Sequence, residues 1–450
     1  MAEPDLRSTR MDEDISEELS IKLTGIILSS YFYQFINSNK MAFYISVLFF
    51  HFLFSNPISY SIENSIAGVN LRDTVKLPPL ETQAANTSYK PAFAGQTRIF
   101  GTKTTAKYKV EKINNELKSP WAIIPLPDNR LLVTAKSGYM QILDANGTIQ
   151  KKIVGFPEVR SGGQGGLLDV ALDPMFSTNK MMYWSFSESQ ESGNLMAVAK
   201  GKLNETDGKV ENPTVIFRAT PALSSGLHFG SRLIFDKDGN LFVSTGERSI
   251  LEGRRQAQDL SSCLGKIFKI TKEGKPAPGN PFINQPGARP EIYAYGIRNA
   301  QSLDIHPVTG DLWEAEFGPR GGDELNIIKP GKNYGWPIIT YGIEYSGSPV
   351  GDAIQQKAGM EQPVYYWDPT LSPSGMTFYK SKVIPEWENN LFICGLGGGH
   401  ISRLIIKNNK VQAEEWLLGD KRERFRDIAC HNGILYTVTD GGNLYRISKE

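Results

Sequence analysis

The sequence predicts an all-β fold, a six-bladed β-propeller of four-stranded antiparallel blades, over residues 105–450. Three observations support this prediction. The chain contains 43 glycines and 26 prolines, a composition that suits many short strands joined by turns. A strand–turn–strand pattern recurs six times, and no stretch of helical periodicity follows residue 105. A chain of 450 residues would suggest two or three domains by length alone, but a propeller of this size folds as one unit.

The repeat decides the architecture. Each copy has a turn with Asp, Asn or Gly, then an apolar strand, a second turn and another strand. An isolated hairpin is only marginally stable in water, so such units must bury their faces against neighbours around a ring. A β-sandwich would show fewer and less repetitive hairpins, and a β-helix would show a shorter period. The six copies begin at Asp128, Thr178, Asp238, Thr309, Glu388 and His431.

Composition excludes several other classes of protein. The formal net charge is +1, which gives no indication of a nucleic-acid partner or of binding to an acidic surface. The three cysteines, Cys263, Cys394 and Cys430, are far apart and odd in number. They show no spacing typical of a zinc site, and at most one pair could form a disulfide.

Residues 1–64 are predicted to be an N-terminal extension that carries an export signal or an anchor. An apolar run at 41–54 follows Lys40 and has the length of a signal-peptide core, shorter than the roughly 20 residues of a spanning helix. Residues 65–67 offer a small-x-small cleavage site. Residues 21–36 are also apolar, so an uncleaved membrane anchor is the alternative. Either form predicts an exported protein, periplasmic or extracellular, with membrane contact only through this extension.

Three segments between the predicted elements differ from tight turns. Residues 65–104 lack periodicity and are rich in Thr, Ala, Asn and Pro, which predicts a linker. The spacing of the repeats leaves long connections around 245–300 and 318–385. Long connections on a rigid scaffold are where binding residues usually lie.

Five segments place polar or charged side chains beside glycines or in apolar surroundings. Glycines allow the backbone to approach a ligand closely, and the second segment leads into a strand that ends at Glu247. Residues so far apart can meet only if the fold brings strand ends to one axis, which a propeller does. The segments are 161–168, 227–234, 295–301, 316–326 with 333–337, and 422–427.

Taken together and in this order, these segments resemble the soluble quinoprotein sugar dehydrogenases that use pyrroloquinoline quinone (PQQ), in particular the aldose sugar dehydrogenases. The resemblance covers roughly residues 107–448. The family fold is a six-bladed propeller, in agreement with the repeat. The resemblance implies oxidation of the anomeric hydroxyl of aldoses to lactones, by hydride transfer to calcium-bound PQQ and with an external electron acceptor.

The resemblance also implies roles for individual residues. His228 corresponds to the catalytic base, and Glu247 to a carboxylate that orients its imidazole. Gln164 corresponds to the residue that contacts both sugar and cofactor. Arg298 and Asn299 correspond to the pair that binds the quinone oxygens, where a guanidinium would stabilise developing charge.

Calcium and the cofactor carboxylates complete the implied site. Gly318 and Pro319 match positions whose backbone carbonyls hold the calcium ion that contacts PQQ. Glu324 and the carbonyl of Tyr334 resemble a second, structural calcium site. The two arginines that face the PQQ carboxylates are matched by Arg424 and Arg426.

Two positions depart from the family pattern. Ala135 stands where relatives commonly carry Glu, which we interpret as a change at the surface of the first blade or at the channel mouth. Gly397 stands where family members often place a lysine against PQQ. The absence of that lysine would weaken cofactor binding unless Arg424 and Arg426 supply enough positive charge.

Two further functions are compatible with a six-bladed propeller. One is a calcium-dependent lactonase, which needs a carboxylate-rich metal cage that the sequence does not show clustered. The other is a non-catalytic propeller that binds a glycan or a protein.

The long insertions of the glucose-specific family member are absent, which favours broad aldose use.

Overall fold

The regular structure that follows residue 105 is almost entirely β in the computed structural model, which describes residues 76–450. Within these residues, 24 strands form six separate four-stranded sheets. The inner strand of each sheet contacts the inner strands of the two neighbouring sheets, so the six sheets close into a ring. The predicted six-bladed propeller is therefore confirmed.

Blades 1 to 3 follow one another along the chain, and each runs from an inner to an outer strand without a crossover. Blade 1 contains β2 (Pro120–Pro125), β3 (Leu131–Ala135), β4 (Tyr139–Leu143) and β5 (Ile149–Ile153). Blade 2 contains β6 (Leu167–Leu172), β7 (Met181–Gln190), β8 (Gly193–Asn204) and β9 (Lys209–Arg218). Blade 3 contains β10 (Gly230–Phe235), β11 (Leu241–Thr245), β12 (Lys266–Ile270) and β13 (Ile292–Tyr295).

Blades 4 to 6 repeat this order, except that the chain's first strand completes the last blade. Blade 4 contains β14 (Ala300–Ile305), β15 (Leu312–Glu316), β16 (Asp323–Ile328) and β17 (Tyr365–Trp367). Blade 5 contains β18 (Pro373–Phe378), β19 (Leu391–Gly395), β20 (Ile401–Lys407) and β21 (Lys410–Leu417). Blade 6 contains β22 (Phe425–His431), β23 (Ile434–Thr439), β24 (Leu444–Lys449) and β1 (Tyr108–Asn114).

The pairing of β1 with β24 closes the ring. The pair is antiparallel, and its register runs from Tyr108 opposite Lys449 to Asn114 opposite Leu444. Because this sheet joins the two ends of the propeller, the ring cannot open without breaking its hydrogen bonds. The other regular elements are short: helix α1 (Phe176–Asn179), helix α2 (Leu251–Gln256) and a 3-10 turn at Pro385–Trp387.

The six predicted copies of the repeat are the second strands of the six blades. Each copy's apolar run is the strand β3, β7, β11, β15, β19 or β23. These strands lie in the middle of a blade, and β3 and β11 are buried at every position because neighbouring blades cover both faces. A strand covered on both faces is apolar along its length rather than alternating, which made the repeat visible in the sequence.

Three hydroxyl side chains on second strands connect neighbouring blades in the same way. Each accepts a hydrogen bond from an inner-strand N–H of its own blade and donates one to an inner-strand carbonyl of the next blade. Thr134, Ser185 and Ser244 donate to the carbonyls of Leu168, Ser231 and Ala300 at 2.6, 2.7 and 2.9 Å.

The centre of the ring contains a buried cation. Arg232 on β10 lies 3.2 Å from Asp169 on β6 and 2.9 Å from Asp427 on β22. Its guanidinium also lies 4.3 Å from the ring centroid of Trp121 on β2. One side chain therefore contacts three other inner strands, and its charge compensates two buried carboxylates.

We expect Arg232→Met to destabilise the propeller by about 3–5 kcal/mol, since removing one partner leaves buried charge uncompensated. Urea unfolding measures this free energy. Lys237→Met is the control, because Lys237 is 88% exposed and surface substitutions usually change stability by less than about 0.5 kcal/mol. An Arg232→Met protein as stable as the control variant would contradict the assignment.

Residues 76–104, the described part of the predicted linker, contain no helix or strand but pack on blades 4 and 5. The Asn86 N–H and the Thr87 N–H donate to the Asp368 carboxylate at 2.8 and 3.1 Å. The Thr102 N–H donates to the Glu414 carbonyl at 2.9 Å. This segment therefore covers the outer part of two blades.

The predicted signal or anchor in residues 1–64 lies outside the described residues, and so do residues 65–75. Between residues 76 and 450, no helix is long and apolar enough to cross a bilayer. Cys263, Cys394 and Cys430 are all free thiols, and the first two are buried.

Candidate active site

The polar loops predicted from the sequence collect at one end of the blades. Because neighbouring strands are antiparallel, the loop before an inner strand and the loop after a second strand lie on the same face of the ring. Gln164, His228, Arg298 and Arg424 precede the inner strands β6, β10, β14 and β22, whereas Glu247 and Gly318 follow the second strands β11 and β15.

His228 is held rigidly in this face. Its side chain is almost fully buried, at 4% exposure, and its φ of +47° lies in the left-handed region that non-glycine residues seldom adopt. The His228 N–H donates to Gln164 Oε1 at 2.8 Å, and the His228 carbonyl accepts from the Arg248 N–H at 3.3 Å. Such strained conformations persist where the surroundings determine them, and they concentrate at functional sites.

The imidazole of His228 is oriented by Glu247. Nδ1 lies 2.6 Å from Glu247 Oε1, and Oε1 also accepts from the Ser249 N–H at 3.2 Å. A carboxylate oxygen can only accept, so the neutral ring carries its proton on Nδ1 and presents a lone pair at Nε2. Nε2 has no hydrogen-bond partner among residues 76–450.

Burial and charge act on this imidazole in opposite directions. Burial and the nearby charge of Arg298 lower the pKa of His228 to about 4, although Glu247 acts to raise it. The ring is therefore neutral at physiological pH and able to accept a proton.

Arg298 and Asn299 lie next to this pair at the start of β14. The Glu247 N–H donates to the Arg298 carbonyl at 2.9 Å, and Asn299 Oδ1 accepts from the Gly230 N–H at 3.0 Å. Two donors remain without a partner among the described residues although they are buried, Arg298 Nε and Asn299 Nδ2. Buried polar groups are normally hydrogen-bonded, so these two donors indicate a place for a polar ligand.

Gly318 and Pro319 form a turn directly after β15. The Gly318 N–H donates to Asp323 Oδ1 at 2.8 Å, and the Gly318 carbonyl accepts from Arg298 Nη1 at 2.6 Å. A Cβ at Gly318 would lie 2.3 Å from the Gly321 carbonyl oxygen, so only glycine fits. The turn thus packs its backbone against itself and against Arg298.

Buried carboxylates lie behind this turn. Glu316 pairs with Glu324 across β15 and β16, and both line a cavity of about 10 Å³ together with Tyr334. Burial raises the pKa of Glu316 to about 7 and that of Glu324 well above its usual value. Within residues 76–450, no group of three or more His, Cys, Asp or Glu side chains is arranged to hold a metal. Backbone oxygens would therefore have to supply part of any cation site here.

Arg424 and Arg426 lie on the other side of Gln164 and share one carboxylate. Arg424 Nε lies 2.9 Å from Asp440 Oδ2, and Arg426 contacts both Asp440 oxygens at 2.8 and 3.1 Å. The two arginines differ in exposure, since the Arg424 side chain is 57% exposed and that of Arg426 is 12% exposed. Together with Gln164 they line a cavity of about 240 Å³.

The two departures from the family pattern have different surroundings. Ala135 ends β3 and is 2% exposed, so our interpretation of a surface change there is wrong: the next blade covers this strand. Gly397 lines a larger cavity, of about 480 Å³, beside Gly318. A Cβ at Gly397 would lie 2.7 Å from Ser372 Oγ, so no larger side chain fits without a shift.

Sequence reasoning missed several residues that complete these arrangements. Asp440 and Lys136 line the cavity of Arg424 and Arg426, and Glu316 accepts a hydrogen bond from the Asn299 N–H at 3.1 Å. Glu316 lies in the segment 316–326 but was assigned no role. Asp440 follows the end of the second strand β23, as Glu247 follows the end of β11. A position at or directly after the end of a second strand was therefore the signal that could have found both carboxylates.

The fold and this face define a class of protein: a six-bladed propeller in which a buried His–Glu pair adjoins a cationic cavity and a carbonyl-rich turn. Residues 117–446 match the model of the glucose/sorbosone dehydrogenase family, and the chain belongs to that family. The predicted resemblance to the soluble PQQ-dependent sugar dehydrogenases is thereby confirmed.

Individual relatives support the same assignment. The chain is 41% identical over 349 residues to aldose sugar dehydrogenase YliI of Escherichia coli (strain K12), which covers 76% of this chain and 93% of the relative. The apo-form of the soluble aldose sugar dehydrogenase from Escherichia coli superposes with a TM-score of 0.73 at 40% identity, over 76% of this chain and 100% of that one. The PQQ-bound aldose sugar dehydrogenase of Streptomyces coelicolor gives a TM-score of 0.63 at 30% identity, over 77% and 100% of the two chains.

Proposed function

We propose that this protein is a quinoprotein aldose dehydrogenase that oxidises the anomeric hydroxyl of aldoses to lactones, with calcium and PQQ as cofactors. The observation that carries the proposal is the neutral imidazole of His228, fixed by Glu247 at 2.6 Å, next to the unpartnered donors of Arg298 and Asn299. The family assignment and the PQQ-bound relative support it.

His228 would act as the general base. Its Nε2 lone pair takes the proton of the anomeric hydroxyl while the hydrogen on C1 leaves as hydride. The resulting imidazolium is stabilised by Glu247, which already accepts the hydrogen bond from Nδ1–H. Gln164 fixes the His228 backbone through its Oε1, and its amide group is left to contact the substrate or the cofactor.

The residues present fit PQQ. Bound PQQ would supply the two-electron acceptor for the hydride, and an external acceptor would be needed to reoxidise it. Arg298 Nε and Asn299 Nδ2 are buried donors without partners in the described part of the chain, as binding of quinone oxygens requires. Arg424 and Arg426 provide guanidinium groups for carboxylates. The cofactor would therefore lie between the Arg298–Asn299 pair and the Arg424–Arg426 pair.

The residues present also fit calcium, which prefers oxygen ligands. The Gly318 and Pro319 carbonyls belong to the turn beside Arg298, and a carbonyl oxygen can accept from Arg298 and still hold a second lone pair. Glu324 and Tyr334 line one small cavity with Glu316, and among residues 76–450 Arg298 is the one cation in its lining. A structural calcium ion would supply positive charge at Glu324, whereas the ion at Gly318 and Pro319 would polarise a bound quinone oxygen.

The Glu324→Gln variant tests whether Glu324 is a calcium ligand or a carboxylate with only a structural role. A buried carboxylate without a cation destabilises the fold, so we expect this variant to melt at a higher temperature than the unaltered chain when calcium is absent. Added calcium should raise the Tm of the unaltered chain more than that of the variant, which keeps only the site at Gly318 and Pro319. Thermal unfolding with EDTA and with calcium measures both. An equal calcium shift in the two proteins would contradict a calcium site at Glu324.

The proposed reaction is tested by reconstitution. The full chain is mixed with PQQ and calcium, and dye reduction is followed with a panel of aldoses. We expect reduction only when PQQ, calcium and an aldose are all present. Absence of dye reduction with every aldose, in a protein that shows no change in the PQQ absorbance, would refute the proposal.

A further inference from the structure

The cavity beside Gln164 contains a third cation. Lys136 lines it together with Arg424, Arg426 and Asp440, so three cations face one carboxylate. Both arginines bind that carboxylate. The Lys136 ammonium makes no ion pair within 4 Å in residues 76–450, and its single hydrogen bond goes to the Gly163 carbonyl at 2.7 Å. An ammonium has three donors, so two of them remain available at the cavity.

The backbone holds Lys136 at this place. Its N–H donates to the Ser119 carbonyl at 3.1 Å, and its carbonyl accepts from the Leu167 N–H at 3.0 Å. A Cβ at Gly166 would lie 2.6 Å from the Lys136 carbonyl oxygen, so the glycine loop packs directly on this residue. Lys136 therefore belongs to the built structure of the site and not to a free surface.

The electrostatic balance at Lys136 favours an anion. Burial lowers its pKa, the charge of Arg426 lowers it further, and Asp440 opposes them. The repulsion from Arg426 thus affects the Lys136 ammonium more than the attraction of Asp440 does. A ligand that brings negative charge into the cavity would offset the repulsion between Lys136 and Arg426.

We propose that Lys136 binds a carboxylate of PQQ and supplies, from blade 1, the cation that relatives often provide at the position of Gly397. This inference rests on the proposed function. PQQ carries several carboxylates, and Asp440 already offsets one of the two arginine charges. Lys136 restores the second positive charge, so the glycine run before His400 is compatible with cofactor binding even though Gly397 itself lines a different cavity.

The test measures PQQ affinity and does not depend on turnover. Equilibrium dialysis with calcium gives the Kd of the full chain and of Lys136→Met, Lys136→Arg and Lys151→Met. We expect Lys136→Met to raise the Kd about 10- to 100-fold, the effect of losing a charge-assisted hydrogen bond. Lys136→Arg should stay within a fewfold of the unaltered chain. Lys151→Met is the matched control, since Lys151 Nζ also donates to a backbone carbonyl, that of Thr206, at 3.1 Å.

The outcomes distinguish this inference from the proposed function. Equal Kd values for Lys136→Met and the control would overturn the role of Lys136, and the dehydrogenase assignment would stand. A failure of both Lys136 variants to bind, with a lowered Tm in both, would indicate a structural role and would also overturn it. No PQQ binding by the unaltered chain would refute the function and this inference together. Weaker binding by Lys136→Met alone, at unchanged Tm, supports the proposal.

Discussion

Replacing His228 with Ala is expected to lower kcat by about 10⁴-fold, the upper end of the range for a general base. The physical reason is that Nε2 of His228 is the lone pair that Glu247 orients toward the site. Steady-state dye reduction of the reconstituted protein measures kcat, and equilibrium dialysis measures PQQ affinity, which should change little because other residues hold the cofactor.

The matched control is His431→Ala. His431 lies at the turn between β22 and β23, on the opposite face of the ring, where Nε2 contacts Asn129 at 2.8 Å. This variant should retain normal turnover. Similar turnover in the His228→Ala and His431→Ala proteins would show that His228 is not the base.

Replacing Glu247 with Gln is expected to lower kcat by about 10²–10³-fold, since an amide can bind Nδ1 in either tautomer and no longer stabilises the imidazolium. The pH dependence gives a second readout. His228 has a pKa of about 4, and Glu247 acts to raise it. Loss of that carboxylate lowers the pKa further, so the acid limb of the kcat profile should move to lower pH.

A purely structural role of Glu247 makes a different prediction. It would lower kcat and Tm together and leave the acid limb in place. Glu247→Asp serves as the control because it keeps the charge but shortens the side chain, and it should recover part of the turnover with the limb near its original pH. An unchanged limb in Glu247→Gln would contradict the electrostatic role.

Much of the fold could be predicted because blade strands carry a local signal. The second strands are buried on both faces, and their apolar runs after Asp, Asn or Gly turns gave the blade number directly. The strand-end position of Glu247 likewise placed it near His228, since both lie at one end of blade 3. These features depend on short stretches of chain and on the antiparallel order of a blade.

Other features depend on contacts between distant blades, which no local pattern records. The Arg232 contacts with Asp169 and Asp427 join three inner strands across the ring. Lys136 reaches the cavity of Arg424 only because blade 1 follows blade 6 in the closed ring. Residues 76–104 contain no strand, and yet they bind Asp368 on blade 4. None of these contacts can be located from the sequence until the arrangement of the closed ring is known.

We expect this face of the propeller to transfer hydride from an aldose to PQQ with His228 as the base. The most direct measurement is stopped-flow absorbance of PQQ in the calcium-reconstituted full chain after addition of an aldose without any external acceptor. We expect one reduction phase that slows with an aldose deuterated at C1 and that is absent in His228→Ala despite bound PQQ. A reduction phase of equal rate in His228→Ala, or no reduction in the unaltered protein with PQQ bound, would contradict it.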